Sequence, residues 1–286
     1  MLTMAVLLCG ISNPFFCEAS AAEPELNFRS LEVRLINDDA FDLSRDRITA
    51  LFNHSALVYD IRAVSSYFQH RESRLNYDQF LAPDQIRKAK AYMEEHQAHL
   101  AETEKIYGVD KEIITAIMLV ETRLGAFVGK NPVFNVLATM AALEDPDMRE
   151  LFWEKIPAER RISKDEYDAK ALQKARWAYR ELRAFLTYVE SEGFYPYDLP
   201  GSYAGAMGIA QFMPSNILTL AVDGNKDGQI NLFQHEDAIS SIANYLKHHG
   251  WKPGMDRDGA YKVVFHYNRS KYYVNTILAI YDKLKG

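Results

Sequence analysis

The stretch that most constrains this chain is Asp110-Lys-Glu-Ile-Ile-Thr-Ala-Ile-Met-Leu-Val-Glu-Thr-Arg-Leu-Gly125, because its apolar residues leave one stable outcome, a buried helix. Ile113, Ile114, Ile117, Met118 and Leu124 recur at helical spacing, with Asp110 placed to cap the start and Gly125 to end it. Glu121 follows Ile117 by one turn and so lies on the apolar stripe. A carboxyl on such a stripe is desolvated, which raises its pKa and lets it hold a proton near neutral pH. That is the property a general acid needs. The plainer alternative is a helix-end glutamate that turns to water or pairs with Arg123.

Elsewhere helical patterning also dominates, over Phe41 to Phe52, Ala82 to Tyr107 behind Pro83, and Asn131 to Leu143 behind Pro132. Ser163-Lys-Asp-Glu166 is a capping-box pattern opening a run to about Ser191 that Gly193 ends. Two further helices are expected at about Glu236 to His249 and Tyr272 to Leu284. No long stretch alternates with a period of two, so any sheet should be small. A chain of 286 residues with a charge of −6 has no broad cationic face for nucleic acid. Seventeen tyrosines supply rings that suit sugars, although tyrosine is equally at home in cores.

The first 22 residues read as an export signal: Leu2 to Ile11 is apolar but too short to span a bilayer, and Ala19-Ser-Ala-Ala22 offers small residues for cleavage. A basic segment before it is missing, and Leu8 is bulky where a lipidation signal at Cys9 wants a small residue. The expectation is a soluble exported domain over residues 23–286, monomeric and without a transmembrane span. Both cysteines, Cys9 and Cys17, precede the cleavage point, so the processed chain would lack disulfides and thiolate ligands.

Three further segments carry polar groups in unusual settings. Gly201-Ser-Tyr-Ala-Gly-Ala-Met-Gly-Ile-Ala-Gln-Phe-Met-Pro-Ser215 is a glycine-rich loop in which Ser202 and Gln211 either satisfy backbone or face a ligand. It is neither a Walker loop nor a dinucleotide fingerprint. Asp223-Gly-Asn-Lys-Asp-Gly-Gln-Ile-Asn231 matches the first nine positions of a calcium loop. Asp223, Asn225, Asp227 and Gln229 stand at positions one, three, five and seven, but Gln234 replaces the bidentate glutamate at twelve. The expectation is a weak, structural Ca²⁺ over about 223–234 and no organic cofactor; an Asp/Asn/Gly turn without metal is the alternative. Tyr267-Asn-Arg-Ser-Lys-Tyr-Tyr273 places aromatic and amide groups at a helix start, which suits carbohydrate or a cap with core anchors. The eight histidines lack metallohydrolase spacing.

Together these segments resemble the membrane-bound lytic transglycosylase B family of murein-degrading enzymes. The likeness is carried by Tyr107-Gly-Val109, Val120-Glu-Thr-Arg123, Leu137-Ala-Thr139, Gly201 to Gly208, Gln211-Phe-Met-Pro-Ser215, Ile230-Asn-Leu232, Asp237-Ala-Ile239, Ala243-Asn-Tyr245, and Tyr267-Asn268 with Ser270. It runs in order from about Phe41 onward. The resemblance implies a mainly α, lysozyme-like (goose-type) core with an inserted calcium loop, acting on peptidoglycan glycan strands in the cell envelope. Glu121 would be the single catalytic acid and base, cutting the muramic acid–glucosamine bond to a 1,6-anhydro product. Ser202 and Gln211 would contact the sugar N-acetyl group and hydroxyls; Tyr245, Tyr267, Asn268 and Tyr273 would line the groove. An arginine pair common in the family after Leu-Ala-Thr is replaced by Glu144-Asp-Pro-Asp-Met-Arg149, leaving Arg149 as the one group for a substrate carboxylate. A water-adding muramidase and a non-catalytic wall-binding protein are the competing readings.

Overall fold

A computed structural model describes residues 27–69, 75–158 and 161–286; the expected export signal and both cysteines lie outside them. The described residues form thirteen α-helices and one two-stranded sheet of two residues per strand. In chain order the helices are α1 (Arg29–Ile36), α2 (Arg45–Phe52), α3 (Ile61–Gln69), α4 (Pro83–Glu95), α5 (Gln97–Tyr107), α6 (Lys111–Thr122), α7 (Val133–Ala141), α8 (Pro146–Lys155), α9 (Lys164–Glu192), α10 (Pro214–Leu220), α11 (His235–His248), α12 (Arg257–Tyr267) and α13 (Lys271–Lys285). None is long and apolar enough to cross a membrane.

Helix α6 is buried nearly all round, from Glu112 to Leu119. The buried Ile113, Ile114, Ile117 and Leu119 each contribute about 2 kcal/mol by leaving water. Helices α4, α5, α11 and α13 surround it, with α13 lying along its length. Asp110 does not cap α6 as its position suggests. Its carboxylate is taken by the Trp251 ring N–H at 3.1 Å and by Lys285 at 3.0 Å, so it ties α6 to α13 instead.

The second scaffold is α9, about 43 Å long at helical rise. Ser163 accepts from the Glu166 N–H, and Gly193 ends the helix in the left-handed conformation, as the capping pattern requires. Its inner face packs on α7 and α10. The buried Glu181 faces the start of α10, where its two oxygens accept from the Ser215 N–H and hydroxyl, each at 2.9 Å. That arrangement satisfies an otherwise orphaned donor and matches the positive end of the helix dipole.

One expected helix is two. Ala82 to Tyr107 breaks at His96, which takes φ −100° and ψ 20° although neither glycine nor proline is present. The imidazole packs between Tyr92, at 4.2 Å, and His235, at 4.8 Å. Tertiary packing of the ring redirects the chain where local propensity would have continued it. The helix expected from Phe41 starts at Arg45, because Ser44 caps it. The stretch from Asn131 to Pro132 is not helical but strand β1, paired with β2 (Pro200–Gly201).

Glu181→Ala should destabilise the fold by about 2 kcal/mol, since it strands the Ser215 donors at a partly buried helix start. The shift in urea midpoint at constant slope measures it.

Candidate active site

Glu121 lies on the last turn of α6, half-buried. The Tyr273 hydroxyl donates to its Oε1 at 2.6 Å. Tyr273 is buried at the first turn of α13, and Ser270 caps that helix by accepting from its N–H at 3.3 Å. Burial and the Glu121 charge push the Tyr273 phenol well above its ordinary pKa, so it stays a donor at every working pH. Arg123 is exposed and does not account for the carboxylate.

The chain then turns sharply away from α6. Arg123, Leu124 and Gly125 all take positive φ, 53°, 63° and 88°. Two consecutive non-glycine residues there store strain, a trait of functional sites. The neighbouring Thr122 hydroxyl holds the turn: it accepts from the Gly125 N–H at 3.0 Å and donates to the Ile209 carbonyl at 3.1 Å. Gly125, expected as the terminator, is thus the third residue of the reversal rather than its start.

The glycine-rich loop folds against that turn. Met207 and Phe212 exchange backbone hydrogen bonds of 3.0 and 3.2 Å. Gly208 (φ +72°) sits so close to the Leu232 backbone that a Cβ would collide, and Gly129 (φ +99°) stands likewise against Gly201. Gln211, itself at φ +49°, gives its amide nitrogen to Val128 O at 3.1 Å and Gly208 O at 2.9 Å. Its carbonyl oxygen accepts no hydrogen bond among the described residues. Ser202 accepts from the N–H groups of Ala204 and Ala206, at 3.2 and 3.1 Å, and keeps its own proton for donation.

Three tyrosines form a wall beside Glu121. The rings of Tyr267 and Tyr273 are nearly parallel, 6.4 Å apart, and Tyr245 meets Tyr267 edge-on at 4.9 Å. The Tyr267 hydroxyl donates to Ala210 O at 2.5 Å, and Tyr245 to His266 O at 2.8 Å. Both hydroxyls are therefore spent on backbone carbonyls of the fold. Burial first, then the Glu121 charge, raises the Tyr267 pKa; no other carboxylate among the described residues acts on it. Asn268 lies half-buried between α12 and α13, and its side chain makes no hydrogen bond among the described residues. Phe212 packs on Tyr245 and Tyr267, at 5.4 and 5.9 Å, and Tyr77 meets Tyr273 edge-on. Neither ring was marked by spacing, although Phe212 adjoins Gln211. Arg149, in contrast, turns into the fold: its Nη1 donates to the carbonyls of Leu143 and Glu144 at 3.0 and 2.7 Å, and its side chain is 14% exposed.

The Asp223–Gln234 loop is a closed oxygen-rich turn. Asp223 accepts from the N–H groups of Asp227 and Gly228, and the Asn225 amide nitrogen bridges Asp227 Oδ2 and Gln234 Oε1, at 2.9 and 2.5 Å. Two side-chain oxygens thus converge on one donor, as they would on a hard cation, and the donor set fits Ca²⁺. Gln229 gives its amide to Glu192 O, which leaves its backbone carbonyl for the seventh position. The residue that spacing missed is Asp237. It is fully buried in α11, with oxygens accepting from Gly224, Asn225 and Asn231. Burial raises its pKa against those hydrogen bonds. An acid in the first turn of the helix after the loop was the available signal. A separate acidic group, Glu104, Asp110 and Glu112, is already met by Lys111 and Lys285.

Residues 37–260 match the family model described as Transglycosylase SLT domain, more than half of the chain. The chain belongs to that family. Among curated relatives of this transglycosylase family it is 35% identical over 175 residues to membrane-bound lytic murein transglycosylase B of Escherichia coli. The match covers 61% of this chain and 41% of the relative, so the chain spans about two fifths of that protein's length. The soluble lytic transglycosylase SltB1 of Pseudomonas aeruginosa has the same fold, with a TM-score of 0.72 at 24% identity over 89% of this chain and 97% of that one. The Escherichia coli lytic transglycosylase Slt35, solved with calcium, gives 0.66 at 24% identity over 91% and 92%. SltB3 of Pseudomonas aeruginosa, solved with NAG-anhNAM-pentapeptide, gives 0.70 at 19% over 92% and 80%. These place the family's lysozyme-like helical fold here.

Next to this wall, His249 stacks on His266 at 4.5 Å. Burial first, then His266 and His248, lowers its pKa below 6.5. The unfolded chain then binds more protons just below pH 6.5, so His249 costs stability as pH falls through that window. In urea titrations between about pH 7.5 and 5.5 the midpoint should fall, and His249→Gln should flatten the slope.

Proposed function

We propose that this chain is a peptidoglycan lytic transglycosylase that cuts the β-1,4 bond between N-acetylmuramic acid and N-acetylglucosamine without consuming water. The observation that carries the reading is the seat of Glu121: one carboxylate on a rigid apolar helix, held by the Tyr273 hydroxyl at 2.6 Å inside a tyrosine wall. A hydrolase of the ordinary kind needs a second carboxylate within about 10 Å. Among the described residues Glu121 is the one carboxylate whose charge acts on the buried Tyr267 phenol, in keeping with a reaction in which the substrate supplies the nucleophile. Family membership and the relative solved with an anhydromuramoyl fragment support the same chemistry.

Protonated Glu121 donates to the glycosidic oxygen as the bond from muramoyl C1 to that oxygen breaks. The carbonyl oxygen of the 2-acetamido group bonds to C1 and carries the developing charge. Ionised Glu121 then takes the proton from the C6 hydroxyl. O6 attacks C1, the acetamido oxygen leaves, and a 1,6-anhydro ring closes. Ser202 donates to the acetamido group or a neighbouring hydroxyl, Gln211 accepts through its carbonyl, and Asn268 fixes the acetamido orientation. Tyr267, half-buried, presents its ring to the sugar, while Tyr245 and Tyr273, buried beside it, exclude water and hold it in place.

The Asp223–Gln234 loop braces the site when it holds Ca²⁺, through Asp223, Asn225, Asp227, the Gln229 carbonyl and Gln234, with Asp237 behind them. The calcium complex of a relative supports this assignment. Because the substrate would be the wall itself, the working protein belongs in the cell envelope, in keeping with the export signal expected over residues 1–22.

Digestion of purified peptidoglycan should release muropeptides ending in 1,6-anhydromuramic acid, read by mass spectrometry. Products heavier by one water would make the enzyme a muramidase instead. Glu121→Gln should keep its melting temperature and lose turnover by far more than roughly tenfold; survival within that factor sinks the assignment. Millimolar calcium should raise the melting temperature without moving the pH optimum, and an unchanged melting temperature would count against the brace.

A further inference from the structure

A second aromatic cleft lies apart from the Glu121 wall, at the junction of α2 with the segment after α9. It encloses about 310 Å³ and is lined by Arg47, Leu51, His54, Phe194, Tyr195 and Tyr197 among others. His54 stacks on Tyr197 at 4.3 Å, and Tyr195 meets both rings edge-on at 6.0 and 5.1 Å. Phe194 anchors the segment from below by packing on Tyr188 at 5.5 Å. Tyr195 is 51% exposed, so a flat face is held open to solvent by neighbours that are themselves fixed.

The polar groups here are oriented as well. The Ala56 N–H donates to His54 Nδ1 at 3.1 Å, which puts the ring proton on Nε2. That nitrogen lies 3.0 Å from the Tyr195 oxygen and donates to it, so the phenol proton of Tyr195 points outward. Tyr197 gives its hydroxyl to Leu51 O at 2.7 Å. Arg47 directs two nitrogens at Glu190 Oε1, at 2.8 and 2.5 Å, so the rim carries no net charge. An open ring face, one outward donor and a neutral rim match an uncharged sugar better than an anion or an apolar peptide.

The cleft is also tied to the site by the chain. Ser202 follows Tyr197 by five positions, which limits the span to about 18 Å. We propose that this cleft is a second carbohydrate-binding surface, which takes an N-acetylglucosamine-type ring of the glycan strand away from the point of cleavage. Its ligand class rests on the transglycosylase reading, whereas its geometry does not. Holding a polymer at two points raises its local concentration at Glu121 without adding a contact to the reacting sugar.

The test is co-sedimentation of the Glu121→Gln chain with insoluble peptidoglycan, with and without Tyr195→Ala or Tyr195→Trp. Loss of one stacked ring should weaken binding about fivefold to tenfold, and tryptophan should restore it. In the chain that retains Glu121, Tyr195→Ala should slow release from whole peptidoglycan yet leave cleavage of a short soluble tetrasaccharide unchanged. Binding that stays within about twofold for Tyr195→Ala, or that tryptophan fails to restore, overturns the surface. Anhydro products together with Tyr195-independent binding sink the surface alone. Tyr195-dependent binding without anhydro products upholds the surface and sinks the transglycosylase reading.

Discussion

The hydrogen bond from Tyr273 to Glu121 joins two helices whose partners are 152 residues apart in the chain, and the rest of the site is arranged around it. It is charge-assisted whenever Glu121 is ionised, and a half-buried setting strengthens it relative to water. From Tyr273 the connections run through the stacked Tyr267 to Ala210 O, along the loop to Gln211, and from Gln211 to Val128 O just beyond α6. They return to Glu121 through the Thr122 hydroxyl and the reversed turn. The groups form a closed circuit of hydrogen bonds and ring contacts that holds them in place, so substrate need not organise them. That is the condition for electrostatic preorganisation.

A second frame supports this circuit from behind. The end of α9 holds the oxygen-rich loop: Tyr188 donates to Ile230 O at 2.8 Å, and Glu192 accepts from the Ile230 N–H at 2.8 Å. The loop leads into α11, whose Asp237 gathers three of its N–H groups and whose Tyr245 reaches the tyrosine wall. A cation in the loop would therefore act on the site only through packing, as a matter of rigidity rather than chemistry.

How much of this was legible depended on whether the cause was local. Helix α6 was readable because apolar residues surround it, and α9 because Ser163 and Gly193 mark its ends chemically. The Asp/Asn/Gly loop was readable from ligand spacing. The break at His96 was not, since its cause is a contact with His235, far along the chain. Asp110 carried a good capping signal and spends its carboxylate on Trp251 and Lys285 instead. In the site, Glu121 stood out as a carboxyl on an apolar stripe, whereas the fates of the Tyr245 and Tyr267 hydroxyls depend on carbonyls that only the folded chain brings near. The succession Arg123-Leu124-Gly125 conceals its left-handed run because only its last residue advertises the conformation.

The wide separation of Glu121 from its phenol partner also orders events in time. A ribosome has made α6 long before it reaches α13, and a nascent chain that stops short of α13 has the carboxylate without the hydroxyl that fixes it. The tyrosine wall is missing its innermost member at that stage, and Lys285 has yet to reach Asp110. A fragment stalled or clipped before Tyr273 therefore lacks the hydrogen bond that holds Glu121. On the function proposed above, the acid and the hydroxyl that holds it come together only once α13 is in place.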